Sequence, residues 1–179
     1  MTVFVVRARN VPTAPGYVEK QLGGSGHFEI IVHSVVSSLF VSKDIRRDVL
    51  LYIVCEGPPT PPRVVVFDSR QMLSLPGFDE KSIVYLFDRA LRRGVGLAKG
   101  ECCVVDSGLQ VMATSFERLV RSLAERHPTY ILDRKGEDVR QVDFPEDPCF
   151  ILTDHIPMQK KTHHLLKRLN VRKRPAVSL

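Results

Sequence analysis

Two short segments carry side chains whose types and spacing could support chemistry. In the first, Ser42 to Val49, Asp44 and Asp48 flank the adjacent arginines Arg46 and Arg47. Guanidinium groups form paired hydrogen bonds with phosphate oxygens and suit the carbonyl oxygens of uracil-type bases. The segment therefore predicts contact with a nucleic acid. The alternative is a loop of exposed ion pairs, which would add little stability.

The second segment is an apolar run, Cys149 to Leu152, which leads directly into Thr153, Asp154 and His155. An Asp and a His at the end of a strand could act as acid and base, or could orient a ligand. A turn without a chemical role is the alternative, because adjacent residues rarely act on one substrate together. From the residue types alone, both interpretations stay open.

No metal site is predicted. The spacing of His155, His163 and His164 does not place them on one face, and the adjacent Cys102 and Cys103 lack the two-residue gap of a zinc knuckle. We interpret the cysteines as thiols of a reducing compartment. No apolar run approaches the roughly 18 residues of a membrane span. A cytoplasmic protein is therefore expected.

The charge distribution singles out the C-terminal part of the chain. The 179 residues include 26 Lys and Arg against 20 Asp and Glu, yet seven of the basic residues and no acidic residue follow His155. Such a block predicts contact with a phosphate backbone or another polyanion, and a solvated helix face is the alternative. The residues of the block expected to contact phosphates are Lys167, Arg168, Arg172 and Lys173.

Apolar strands that alternate with helices are the elements that must position these groups. This order predicts an α/β fold, a single domain over residues 1–179, with a mostly parallel sheet covered by helices on both faces. Ligands of such sheets bind at the carboxyl ends of the strands. Gly94 to Gly108 is predicted as a loop. Predicted strands are Thr2–Arg7, Val49–Cys55, Arg63–Phe67, Leu109–Ala113, Thr129–Asp133, Cys149–Leu152 and Ala176–Leu179; predicted helices are Phe28–Phe40, Asp79–Arg93, one opened by a Thr114–Glu117 capping box, and Lys160–Leu169.

Three motifs, in this order and spacing, closely resemble the archaeal TrmY family of tRNA pseudouridine N1-methyltransferases, which belongs to the SPOUT superfamily. The motifs are Leu39 to Val49, Arg134 to Val139 and Pro148 to Ile156. The resemblance covers essentially the whole chain. It implies a C-terminal trefoil knot, a homodimer, S-adenosylmethionine as cofactor, and methylation of N1 of a pseudouridine in the T-loop of tRNA.

The resemblance also implies roles for individual residues. Asp44 is expected to orient or deprotonate the base, while Arg46 and Arg47 hold phosphate or carbonyl oxygens. Three loops are expected to hold the cofactor through backbone groups. Their residues are Leu132 in the first, Thr153, Asp154, His155 and Ile156 in the second, and Val177, Ser178 and Leu179 in the third.

The chain departs from the family pattern at several places. Pro157 stands where relatives have Gly, which removes a backbone N–H from the second loop. The family continues beyond Leu179 into the third cofactor loop and a last helix. Weak cofactor binding is therefore expected for the chain as given. Two alternatives follow: an RNA-binding relative that has lost the cofactor, and a methyltransferase that acts on ribosomal RNA.

Overall fold

The computed structural model describes residues 1–18, 20, 28–42, 44–71, 77, 79–132, 141 and 143–174, with the backbone alone at 173 and 174. Its strands are β1 (Thr2–Ala8), β2 (Phe40–Val41), β3 (Asp44–Ile45), β4 (Val49–Cys55), β5 (Arg63–Asp68), β6 (Cys102–Asp106), β7 (Leu109–Met112), β8 (Thr129–Leu132), β9 (Cys149–Thr153) and β10 (Arg172–Arg174). Its helices are α1 (Phe28–Leu39), α2 (Glu80–Arg93), α3 (Phe116–Ala124) and α4 (Lys160–Arg168).

Eight strands form one sheet in the order β10-β8-β9-β1-β4-β5-β7-β6, and β2 pairs with β3 in a small hairpin. Neighbours from β10 to β4 are parallel, whereas β5, β7 and β6 add antiparallel pairs. We call the side where the parallel strands finish the carboxyl end of the sheet, and the opposite side the amino end. The predicted α/β fold with a mostly parallel sheet is confirmed.

Alternation along β1 divides the core into two layers. Val3 and Val5 pack with the apolar faces of α3 and α4, whereas Val6 and Ala8 pack with those of α1 and α2. Both layers bury these β1 side chains almost completely, since all four are at most 3% exposed to solvent. Helices therefore cover both faces of the sheet, as the apolar composition of its strands predicts.

Two predictions about the outer strands need correction. Cys102–Asp106, expected to be loop, forms β6, an edge strand whose alternating exposure and half-burial conceals it from a search for apolar runs. Arg172–Arg174, read only as part of a basic block, forms β10 by parallel pairing with β8. The Ala176–Leu179 strand, the Arg134–Val139 motif and the segments expected to close a knot lie outside the described residues.

The N-terminus of α3 begins one residue later than the capping box predicts. The cap is Ser115, whose side-chain oxygen accepts a hydrogen bond from the backbone N–H of Arg118 at 3.3 Å. Thr114 is instead buried, and Glu117 turns toward Arg7 rather than back to the cap. Neither residue of the predicted capping box therefore caps the helix, because Thr114 is buried and Glu117 pairs with Arg7.

The cysteines behave as ordinary thiols. Cys55 and Cys149 are buried, and burial raises the pKa of Cys149 to about 12 and that of Cys55 above its usual range.

In the described part of the chain, no three His, Cys, Asp or Glu residues are grouped as a metal site would require. No described helix is long and apolar enough to cross a membrane.

Replacing Ser115 with Ala should lower the free energy of unfolding by about 1 kcal/mol, because the first turn of α3 loses its acceptor. Urea unfolding followed by circular dichroism measures the change. Ser115→Asp is the matched control, since it keeps an acceptor at the cap and should stay near wild type. An equal loss in both variants would contradict the assigned cap.

Candidate functional site

A cavity of about 350 Å³ opens at the carboxyl end of β8 and β9. A neighbouring hollow of about 460 Å³ shares Ile131 and His163 with it and runs along α4. Both volumes fall within the range of small-molecule sites. The cavity is lined by Ile131, Leu132, Ile151, Thr153, Pro157, Met158 and His163.

The cavity walls are mostly apolar, with a few polar groups set among them. The Thr153 hydroxyl and the His163 imidazole are the polar side-chain groups of the lining, while Leu132 and Met158 are apolar. Such a lining suits a ligand that combines a flat heteroaromatic ring with a thioether chain, because both parts bury well in apolar surroundings. The residues present therefore fit an adenosine-containing sulfur compound.

Asp154 shapes the loop beside this cavity. Its carboxylate accepts hydrogen bonds from the backbone N–H groups of Arg9 at 2.8 Å and Ile156 at 2.9 Å. Its own N–H donates to the carbonyl of Arg7 at 3.0 Å. Asp154 thus holds the turn between β9 and α4, and the N–H of Ile156 is already engaged within that turn.

The structure distributes the predicted cofactor residues unevenly. Leu132 and Thr153 line the cavity, whereas Asp154 and Ile156 form the turn next to it. His155 is exposed on the same loop. Val177, Ser178 and Leu179 lie outside the described residues. The cofactor role of each of these residues stays a prediction.

Sequence reasoning missed Arg7, a buried arginine at the carboxyl end of β1. Its Nε donates to both carboxylate oxygens of Glu56 at 3.0 Å, and its Nη1 donates to the hydroxyl of Thr162 at 3.0 Å. Its Nη2 lies 3.3 Å from the carboxylate of Glu117, and the guanidinium stands 4.4 Å above the ring of Phe116. The one available signal was a charge inside an otherwise apolar strand.

These contacts connect helix α4, which borders the cavity, to the end of β4 and to helix α3. Glu56 follows β4, Glu117 belongs to α3, and Thr162 belongs to α4 next to the cavity residue His163. Since the Arg7 carbonyl also holds Asp154, one residue contacts both the loop and the helix beside the cavity. Arg7 therefore fixes the position of α4 relative to the sheet.

Replacing Arg7 with Met should lower the free energy of unfolding by about 3 kcal/mol, because a half-buried carboxylate and a buried hydroxyl lose their partner. Arg92→Met is the matched control. It breaks an exposed pair with Asp88 on α2 and should cost less than about 0.5 kcal/mol. Chemical denaturation of both variants compares them, and a cost at Arg7 as small as that at Arg92 would contradict its structural role.

The Asp44 segment lies at the amino end of the sheet, away from the cavity. The carboxylate of Asp44 accepts a hydrogen bond from the N–H of Ile45 at 2.7 Å, and Arg46 and Arg47 are exposed. Strand register places the cavity residue Thr153 level with Val54. Val54 lies five residues, or about 17 Å of strand, beyond Val49, where β4 begins. The Asp44 segment precedes Val49 in the chain. Within one protomer the structure does not bring Asp44 to the cavity.

The basic block also divides between the two ends of the sheet, because α4 runs from one to the other. Lys160 and Lys161 are exposed at its start near the cavity. The residues predicted to bind RNA lie at the amino end, where Lys167, Arg168 and Arg172 are exposed and the side chain of Lys173 is not described.

Comparison with known proteins identifies the family. A family model described as "Putative SAM-dependent RNA methyltransferase" matches residues 1–178. The chain belongs to this family. Similar relatives named "Putative pseudouridine methyltransferase" come from Vibrio parahaemolyticus, Vibrio vulnificus and Alcanivorax borkumensis; they are 40%, 41% and 39% identical over 97%, 94% and 97% of this chain and 87%, 85% and 87% of their own lengths.

The fold has a solved counterpart. Nep1 of Archaeoglobus fulgidus, crystallised with S-adenosylhomocysteine, superposes with a TM-score of 0.60 over 97% of this chain and 88% of its own, at 12% identity. The predicted TrmY-like SPOUT methyltransferase and its cofactor S-adenosylmethionine are confirmed. The relatives named above are bacterial, so the archaeal origin implied by the sequence resemblance is not confirmed.

Proposed function

We propose that this methyltransferase acts in the cytoplasm as a homodimer and methylates N1 of a pseudouridine in the T-loop of tRNA. The relatives named for pseudouridine, which match nearly the whole chain, are the observation that carries the choice of base. The cavity at the carboxyl end of β8 and β9 supports the position of the cofactor. The exposed arginines and lysines support an RNA substrate.

The chemistry needs positioning and removal of one proton. Bound S-adenosylmethionine supplies a methyl group on a positively charged sulfur. Pseudouridine is joined to ribose through carbon, so its N1 carries a hydrogen that must leave as the N–CH₃ bond forms and the C–S bond breaks. Leu132, Ile151 and Met158 would exclude water from the reacting atoms, and the Thr153 hydroxyl would orient the bound group.

Two residues are candidates to accept the proton. His163 is the one titratable side chain among the described residues that line the cavity. Asp44 lies at the opposite end of the sheet, so its predicted role requires a dimer in which the Asp44 segment of one copy meets the cavity of the other. Arg46 and Arg47 would then contact RNA close to the same composite site.

The choice of base is tested with two tRNA transcripts that differ at one T-loop position, which carries pseudouridine in one and uridine in the other. Methyl transfer from labelled S-adenosylmethionine is expected with pseudouridine alone, because N1 of uridine is bonded to ribose. Mass spectrometry of the nucleosides locates the methyl group. Equal labelling of both transcripts would refute N1 of this base as the target.

The same assay separates the competing substrates. A ribosomal RNA fragment that contains pseudouridine serves as the comparison, and preference for it over tRNA would transfer the activity to ribosomal RNA. Cofactor binding is measured separately, by calorimetric titration with S-adenosylhomocysteine. No binding to the chain would favour the RNA-binding relative that has lost the cofactor.

The role of Asp44 is tested by subunit complementation between Asp44→Asn and Thr153→Trp, which fills the cavity. Each variant alone should be inactive. If Asp44 acts across a dimer interface, random mixing should restore about a quarter of the wild-type rate, because half the dimers then hold one intact site of two. Absence of recovery, or full activity of Asp44→Asn alone, would contradict the assignment.

A further inference from the structure

The charge of helix α4 is not explained by helix stability. Its nine residues, Lys160–Arg168, include four Lys and Arg, two His and no acid. Two lysines occupy the first turn, where the helix dipole disfavours positive charge. The cap residue Gln159 makes no side-chain hydrogen bond to the helix.

The other capped helices follow the usual rules. In α2, Asp79 caps the N-terminus and Glu80 lies in the first turn; in α3, Ser115 caps and Glu117 lies in the first turn. Of these three helices, α4 alone has neither a side-chain cap hydrogen bond nor an acidic residue in its first turn. Where a chain departs from its own local pattern, a binding function is the physical explanation to test.

Only one face of α4 is needed to hold it on the sheet. Thr162 and Leu166 are buried, the first against Arg7 and the second in the core. The exposed face carries Lys160, Lys161, His164, Lys167 and Arg168. The helix therefore presents a continuous basic stripe about 13 Å long to solvent.

A groove of about 970 Å³ lies at the C-terminal end of α4, on the amino end of the sheet. Its lining includes Leu169 and Val171, the exposed cations Arg126, Lys167 and Arg172, and the exposed acid Glu125. Ser122 accepts two hydrogen bonds from the Arg126 guanidinium at 3.1 Å, which fixes that charge. The groove has the volume and the mixed lining of a site for a nucleotide unit.

Shared residues connect the groove with the cofactor cavity. Ile131 and His163 line both the cavity and the hollow along α4, while Lys167 and Val171 line both that hollow and the groove. The three concavities thus follow one another along α4.

We propose that α4 and this groove form a single track for the sugar-phosphate backbone that flanks the modified nucleotide. The inference rests on the proposed RNA methyltransferase function. One flank of the substrate leaves the cavity beside Lys160 and Lys161, follows the exposed face of α4, and enters the groove between Arg126 and Arg172. Phosphate contacts of this kind position the RNA without reading its sequence.

The test compares variants with matched charge. The groove variant carries Arg126→Gln, Lys167→Gln and Arg172→Gln. The control carries Lys81→Gln, Arg93→Gln and Lys99→Gln, three exposed cations on α2 and before β6. Both lose three positive charges, and thermal unfolding checks that both fold. Fluorescence anisotropy with a labelled T-arm hairpin, titrated at several salt concentrations, gives the affinity and its salt dependence.

The groove variant should reduce the log–log salt slope by about 0.7 for each single-strand phosphate that it no longer neutralises, whereas the control should leave the slope near wild type. Trimming the RNA from one side only should remove the difference between wild type and groove variant, because a backbone track has a direction. Trimming from the other side should preserve that difference.

Three results would overturn the track. Equal slope changes in the groove variant and the control would mean a non-specific charge effect. Unchanged slopes would mean that the three groove cations stay solvated and meet no phosphate. Equal loss of affinity for polyphosphate and for the hairpin would mean a general polyanion surface. None of these readouts depends on methyl transfer, so they stand apart from failure of the proposed activity.

Discussion

The buried guanidinium of Arg7 is the constraint on which the cavity and its surroundings depend. A charge removed from water is tolerated only when opposite charges and hydrogen bonds surround it. Glu117 and Thr162 provide these from helices α3 and α4, and Glu56 from the residue after β4. Because the guanidinium is planar and rigid, these partners have little freedom to move independently. Thr162 is held in this way next to His163, which lines the cavity, so the wall formed by α4 is held in place as well.

The direction of the parallel strands then separates two kinds of chemistry. The carboxyl ends of β8 and β9, with the loop that follows β9, border a mostly apolar cavity, which suits a small cofactor. The amino ends of the parallel strands gather exposed arginines and lysines from two distant parts of the chain, the Arg46 segment and the end of α4. An RNA substrate that uses both ends must therefore extend across the molecule, and α4 is the element that joins them.

Much of the fold was predictable from local pattern. The bounds of α2 and β4 agree with the sequence to within a residue, since their apolar faces have the period of a helix or the continuity of a buried strand. The misses have a common cause. Strands β6 and β10 form because they pair with β7 and β8. Glu117 pairs with the distant Arg7 and does not form the predicted cap. Interactions between distant residues leave no local pattern.

The sequence by itself determined the family, the α/β class and the residue types available for RNA contact, because motifs, apolar periodicity and net charge are properties of the chain. Tertiary structure decided which of those residues share a site. It placed Thr153 and Leu132 in one cavity, set the Asp44 segment at the opposite end of the sheet, and gave Arg7 its partners. Placements of this kind follow from strand order and register, which long-range packing determines.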